Sequence, residues 1–146
     1  MDERPPQAVL FACSMNAVRS PMAEGLVKRR FGTKVYVDSV GARAGERDPM
    51  MVEVMDELGV DMSRHRSKTF DQLEDTSFDL VITFSPEAHH RALELTRHND
   101  MQVEYWPTWD PTQTEGTREQ RLDAYREVRD ALDRRLADRL AMLKGP

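Results

Sequence analysis

Ala8-Val9-Leu10-Phe11-Ala12-Cys13-Ser14-Met15-Asn16-Ala17-Val18-Arg19-Ser20-Pro21-Met22-Ala23-Glu24-Gly25 is the stretch whose reading decides the fold. The unbroken apolar run predicts a strand over residues 7–12 that is buried on both faces, because a half-exposed strand would alternate. Ser20-Pro21 reads as N-cap and first helical position, with Glu24 in the first turn, where the helix dipole favours an acid. Between strand and helix lies a short loop with a thiol at its entrance and a guanidinium six residues on. Such a loop aims backbone N–H groups inward and the helix adds its positive end, so the concavity suits a tetrahedral oxyanion. The same field favours a thiolate at Cys13.

Working outward, strands and helices alternate. Val35-Tyr36-Val37 predicts a second strand, closed by Ser39-Val40-Gly41, after a helix that ends at Gly32. Asp48-Pro49 opens a helix with Val52, Met55 and Leu58 on one face and Gly59 as its stop. A basic cluster, Arg64-His65-Arg66-Ser67-Lys68, precedes a short helical turn near 71–75. The strongest strand signal is Phe78 to Phe84. Ser85-Pro86 starts a helix to about residue 97, residues 101–106 form a last strand, and Pro107 to Gly116 is a loop. From about 117 to 143, Leu122, Tyr125, Val128, Leu132, Leu136, Leu140 and Leu143 form one apolar stripe. Such a stripe also suits membrane or partner-helix binding, but its balanced charges favour a core element with a solvated face.

The expectation is an α/β fold: one three-layer α/β/α domain over residues 1–146, with residues 1–6 a loose tail and about four parallel strands. In such sheets ligands bind at the carboxyl ends of the strands, where the Cys13 loop and the Asp110 loop both lie.

The chain has 146 residues, a net charge of −5 and a single cysteine. That charge argues against nucleic-acid binding, while a local nest and one arginine still suffice for a phosphate. One cysteine excludes an internal disulfide, and no His/Cys spacing suggests a metal site, so neither metal nor cofactor is expected. The polar N-terminus lacks a signal-peptide core and no window reaches the length of a membrane span, so a reducing cytoplasm is the expected setting.

A cysteine after a buried strand is most often an inert core residue; its place before an N-capped helix, with Arg19 following, favours chemistry. Cys13 is the candidate nucleophile. The backbone of Ser14, Met15, Asn16, Ala17, Val18 and Arg19, with the Arg19 fork, is the candidate phosphate cradle, and Ser20 can donate to the sulfur.

Cys13 through Gly25, with Asp38-Ser39-Val40-Gly41, His65-Arg66-Ser67 and Trp109-Asp110-Pro111, resembles the low-molecular-weight protein tyrosine phosphatases and the arsenate reductases that share their fold. The stretch Glu115 to Asp130 is similar to the arsenate-reductase side. The resemblance implies that Cys13 becomes a phosphocysteine and that Arg19 clamps the transition state. It implies Asp110 as general acid and then base, and Asn16, Ser20, Ser39 and His65 as the network that holds the loop. Three positions depart from the family: Met15 replaces a glycine, Val18 stands where phosphatases carry a second cysteine, and Ala17 matches neither the tyrosine- nor the arginine-phosphatase residue. Thr112-Gln113 follow Asp110-Pro111 in place of aromatics, which leaves Trp106 and Trp109 as candidate walls for an aryl substrate.

These expectations order three functions. The first is a phosphomonoesterase acting on a phosphorylated protein or small aryl phosphate, with inorganic phosphate or another oxyanion held in the loop. The second is an arsenate reductase; lacking an internal thiol pair, it would use a thiol reductant or redox partner. The third is a non-catalytic oxyanion-binding regulatory domain.

Overall fold

A computed structural model of the chain describes residues 5–74, 77–97 and 100–144. The first apolar run forms β1 (Ala8–Cys13), flanked by β2 (Tyr36–Gly41) and β3 (Leu80–Thr83), with β4 (Gln102–Tyr105) outermost. All neighbours are parallel, in one four-stranded sheet of order β2-β1-β3-β4. Among the described residues the α-helices are α1 (Arg19–Phe31), α2 (Pro49–Asp56), α3 (Pro86–Leu95) and α4 (Arg118–Arg139). This is the α/β architecture that the alternation predicts.

The pleat of β1 sorts its residues between two cores. Val9, Phe11 and Cys13 face a large apolar cluster built with α1, α2 and α4, including Leu26, Met55 and Leu132. Leu10 and Ala12 face a smaller one with Phe70, Phe78 and the α3 residues Ala88 and Ala92. Because Val9 to Ala12 are fully buried, truncating Leu10 to alanine is expected to cost about 2–5 kcal/mol, the usual range for a large-to-small core change.

Several local expectations are corrected. Cys13 belongs to β1 itself, paired with Gly41 across the sheet. Helix α1 begins at Arg19, and Val18 occupies its N-cap without a side-chain cap. Ser20 is no cap, because its hydroxyl is committed to Cys13 and Val40. Glu24 lies beyond the first turn and binds Ser39 and Lys28 instead of serving the dipole. Gly32 ends α1 as expected, at φ +58°.

Asp48 caps α2 through Met50 and Met51, as its sequence predicts. The buried face of α2 is Met51, Val54 and Met55, whereas Val52 and Leu58 are only partly buried. The turn expected near 71–75 lies at Phe70–Gln72; Asp75 falls outside the described residues, as do residues 1–4 of the expected tail. The C-terminal helix stops at Arg139, and a 3-10 turn over Ala141–Lys144 follows.

Helix α4 is held by ions as well as by its stripe. Arg126 and Arg129 both bind Glu57, just past the end of α2, and Arg30 of α1 grips Asp133 through two bonds of 2.7 and 2.9 Å. The Arg126 hydrogen bonds, then those of Arg129, hold the Glu57 carboxyl down at about 2. Among the described residues no helix is long and apolar enough to cross a membrane.

Candidate active site

The loop between β1 and α1 packs against β2 at its end. A Cβ on Gly41 would collide with the Arg43 carbonyl and lie 2.6 Å from the Asn16 nitrogen. Only glycine lets the loop backbone approach this closely. Two further bonds fasten it from the same side, from the nitrogens of Arg43 and Gly45 to the carbonyls of Ser14 and Met15. Asn16 sits at φ +53°, the only described non-glycine residue with a positive φ. Such a conformation persists only where its surroundings hold it.

Those surroundings are explicit. Asn16 is fully buried, and its Nδ2 donates to Ser20 Oγ at 2.9 Å and Ser39 Oγ at 3.0 Å. Its Oδ1 accepts from the Lys68 nitrogen, and its carbonyl accepts from Ser67 Oγ and His65 Nε2. A carbonyl only accepts, so the His65 proton is on Nε2. Ser39 in turn donates to Glu24 at 2.6 Å. The direction of the chain is thereby set: Ser39 gives its hydrogen to Glu24, so it accepts from Asn16, and Asn16 donates onward to Ser20.

Ser20 accepts from Asn16 and has one hydrogen to give. Its oxygen lies 3.0 Å from Cys13 Sγ and 3.2 Å from the Val40 carbonyl. A Cys13 thiol can donate to Ser20 while Ser20 serves Val40. When the thiol ionises, the serine hydrogen turns to the sulfur, joining the Ser20 amide, which lies 3.4 Å away. Two donors on one sulfur stabilise an anion there.

Arg19 is 8% exposed, and its guanidinium donates to the carbonyls of Phe84 and Thr108 at 3.4 and 3.0 Å. It thus bridges the ends of β3 and β4. Its Nη2 lies 3.9 Å from Asp110 Oδ2, which brings the candidate acid to the candidate clamp. The other oxygen of Asp110 accepts from the Thr112 nitrogen at 3.0 Å and its hydroxyl at 2.7 Å.

The rim is uneven. Met15 is 37% exposed and lies over Gly45, where a side chain would meet it. Ser14 donates to Ser85, the cap of α3. Ala17 is partly buried and Val18 is in the core. The two tryptophans separate. Trp106 is 3% exposed, edge-on to Phe84 and capped by Arg135 at 4.0 Å, so it packs inward and cannot wall a substrate. Trp109 is 62% exposed beside Asp110.

The sequence reading did not give roles in the site to Glu24, Ser67, Lys68, Gly41 or Thr112. Ser67 sits inside the His65-Arg66-Ser67 segment, whereas Glu24 and Thr112 depend on contacts that only folding creates.

The match to known proteins spans the whole of this framework: residues 8–145 fit the model for low molecular weight phosphotyrosine protein phosphatase. The chain belongs to that family. A curated relative, the arsenate reductase of Halalkalibacterium halodurans, is 35% identical over 130 residues, covering 89% of this chain and 92% of its own. Among solved structures, an arsenate reductase in the phosphate binding state superposes with a TM-score of 0.72 at 26% identity, over 94% of this chain and 98% of that one. The YwlE arginine phosphatase, in a mutant with a phosphorylated active site serine, superposes with a TM-score of 0.73 at 25% identity, over 94% and 96%. In this family member, therefore, the fold of an enzyme is established, and its relatives include both arsenate reductases and phosphatases.

Proposed function

We propose that this protein is a phosphomonoesterase of aryl phosphates that works through a cysteinyl-phosphate. The observation that carries the reading is the pairing of a single cysteine, hydrogen-bonded to Ser20, with Asp110 at the Arg19 guanidinium. The Cys13 thiolate attacks phosphorus while the ester P–O bond breaks, and Asp110 protonates the leaving oxygen. Asp110, now a carboxylate, takes a proton from water; the water oxygen attacks phosphorus and the P–S bond breaks, freeing phosphate and the thiolate. Arg19 and the loop backbone neutralise the equatorial oxygens throughout. The phosphate binding state of one relative supports an oxyanion in this loop. Exposed Trp109 supports an aryl ester, since it offers a stacking face beside the acid. The need for a reduced thiol supports a cytoplasmic setting.

A second reading, arsenate reduction, is favoured by the identity to the Halalkalibacterium enzyme. With one cysteine in the chain, the two electrons would come from thiols outside it, oxidised to a disulfide as arsenate becomes arsenite. The two are separated by offering purified protein either p-nitrophenyl phosphate between pH 5 and 7, or arsenate with a small thiol. Phosphate release that disappears in Cys13→Ser supports the first. Arsenate-dependent thiol oxidation without ester hydrolysis replaces it with the second.

A further inference from the structure

Beside the Asp110 loop lies a groove of about 620 Å³, bounded by Pro107 to Trp109 and Thr114 on one side and by α4 on the other. The apolar part of its α4 wall is Ala124, Val128, Ala131 and Leu132. We propose that this groove is a second substrate subsite. It would take the polypeptide flanking the phosphorylated residue, with one apolar side chain over Val128 and a lysine or arginine against Glu127. The proposal rests on the phosphatase reading above and adds to it a second contact region, for the residues on either side of the phosphorylated one.

Three observations carry it. First, the groove begins at the catalytic machinery. Thr108, which lines it, accepts a 3.0 Å bond from Arg19, and Trp109 precedes Asp110 in the chain. The groove thus adjoins the loop that carries Asp110, next to where the residues flanking a phosphorylated side chain would lie. Second, Trp109 is the most exposed large apolar side chain described, at 62%. It is nevertheless held, by a bond from its Nε1 to Thr114 across the loop. A fixed, exposed indole is a ready contact surface, because little conformational freedom is lost when a partner covers it. Third, the charges are complementary to a cation at one end only. Asp123 and Glu127 line the groove. Asp123 is engaged by Arg126, and Glu127 makes no ion pair among the described residues. At the other end Arg135 is occupied over the Trp106 ring.

The test fills the groove without touching the chemistry. Wild type, Ala124→Trp, Ala131→Trp and Glu127→Lys would be compared on p-nitrophenyl phosphate and on two phosphotyrosine peptides. One peptide carries leucine and lysine on either side of the phosphotyrosine, the other only glycine and serine. The expected result is a KM for the leucine–lysine peptide raised about tenfold in the filled variants, corresponding to roughly 1.4 kcal/mol. The kcat, the melting temperature and p-nitrophenyl phosphate turnover should stay at wild-type values. Glu127→Lys should abolish the preference for lysine. Filled variants that melt normally and handle both peptides as wild type does would overturn the subsite, as would an equal loss on p-nitrophenyl phosphate. If wild type hydrolyses none of the three, the phosphatase reading fails. The groove is then judged by fluorescence anisotropy of the same peptides on Cys13→Ser with and without Ala131→Trp: weakened binding upholds the subsite, and unchanged binding overturns it.

Discussion

At the scale of single residues, Ser20 is where the fold would meet the proposed chemistry, because its one hydrogen can serve Val40 or the Cys13 sulfur. Removing it in Ser20→Ala is expected to lower kcat about 10- to 100-fold, the worth of one hydrogen bond to a charged group. Substrate binding should change little; a loss confined to KM would contradict the role. Thr112 acts on the other partner. Its hydroxyl holds one oxygen of Asp110 and leaves the second facing Arg19. Asp110→Asn should slow alkyl phosphates about 100-fold, within the usual range for a general acid, and p-nitrophenyl phosphate much less, since that leaving group needs little protonation. Thr112→Val should show the same split at several-fold size, and Thr112→Ser should restore it. Equal losses on both esters would count against aiming of the acid. Cys13 and Arg19 were legible in sequence because their spacing is local. Thr112 was legible only as a departure from aromatics, since a threonine that folds back onto an aspartate leaves no pattern of its own.

Among the elements, strand and helix order was readable from periodicity, and the Asp48 and Ser85 caps from residue type. The start of α1 was not. Ser20-Pro21 has every local mark of a cap, yet a buried sulfur and the Val40 carbonyl compete for the same hydroxyl, and the helix begins two residues earlier, at Arg19. Glu24 failed for the same reason: Ser39, from β2, takes the carboxylate that local sequence would assign to the dipole. The clamp of α4 on α2 predicts a pH dependence. Glu57 is held at about 2 in the fold against 4.5 for a free glutamate. A depressed carboxyl contributes stability above its unfolded value, and that contribution fades as pH falls from about 4.5 through 2. Urea unfolding of wild type should therefore weaken between pH 5 and 2.5 more steeply than that of Glu57→Gln. Parallel curves would show that the clamp does not contribute.

For the molecule as a whole, the parallel sheet gathers residues distant in sequence at the carboxyl ends of its strands. Cys13 comes from the end of β1, the Gly41 contact from β2, the Phe84 carbonyl from just past β3, and Thr108 and Asp110 from the loop after β4. That convergence was foreseeable as a rule for such sheets. The partition of the tryptophans was not, because both precede Asp110 and only packing sends Trp106 under Arg135 and Trp109 outward. On the proposed mechanism this assembly passes a phosphoryl group through sulfur. The most direct measurement of that transfer is mass spectrometry of acid-quenched Asp110→Asn protein during turnover of p-nitrophenyl phosphate, with Cys13→Ser alongside under the same conditions. A phosphoryl adduct on the Cys13 peptide, absent from the Cys13→Ser protein during the same short exposure, is the predicted result. Release of p-nitrophenol that continues in Cys13→Ser at the wild-type rate, with no adduct on Cys13, would contradict it.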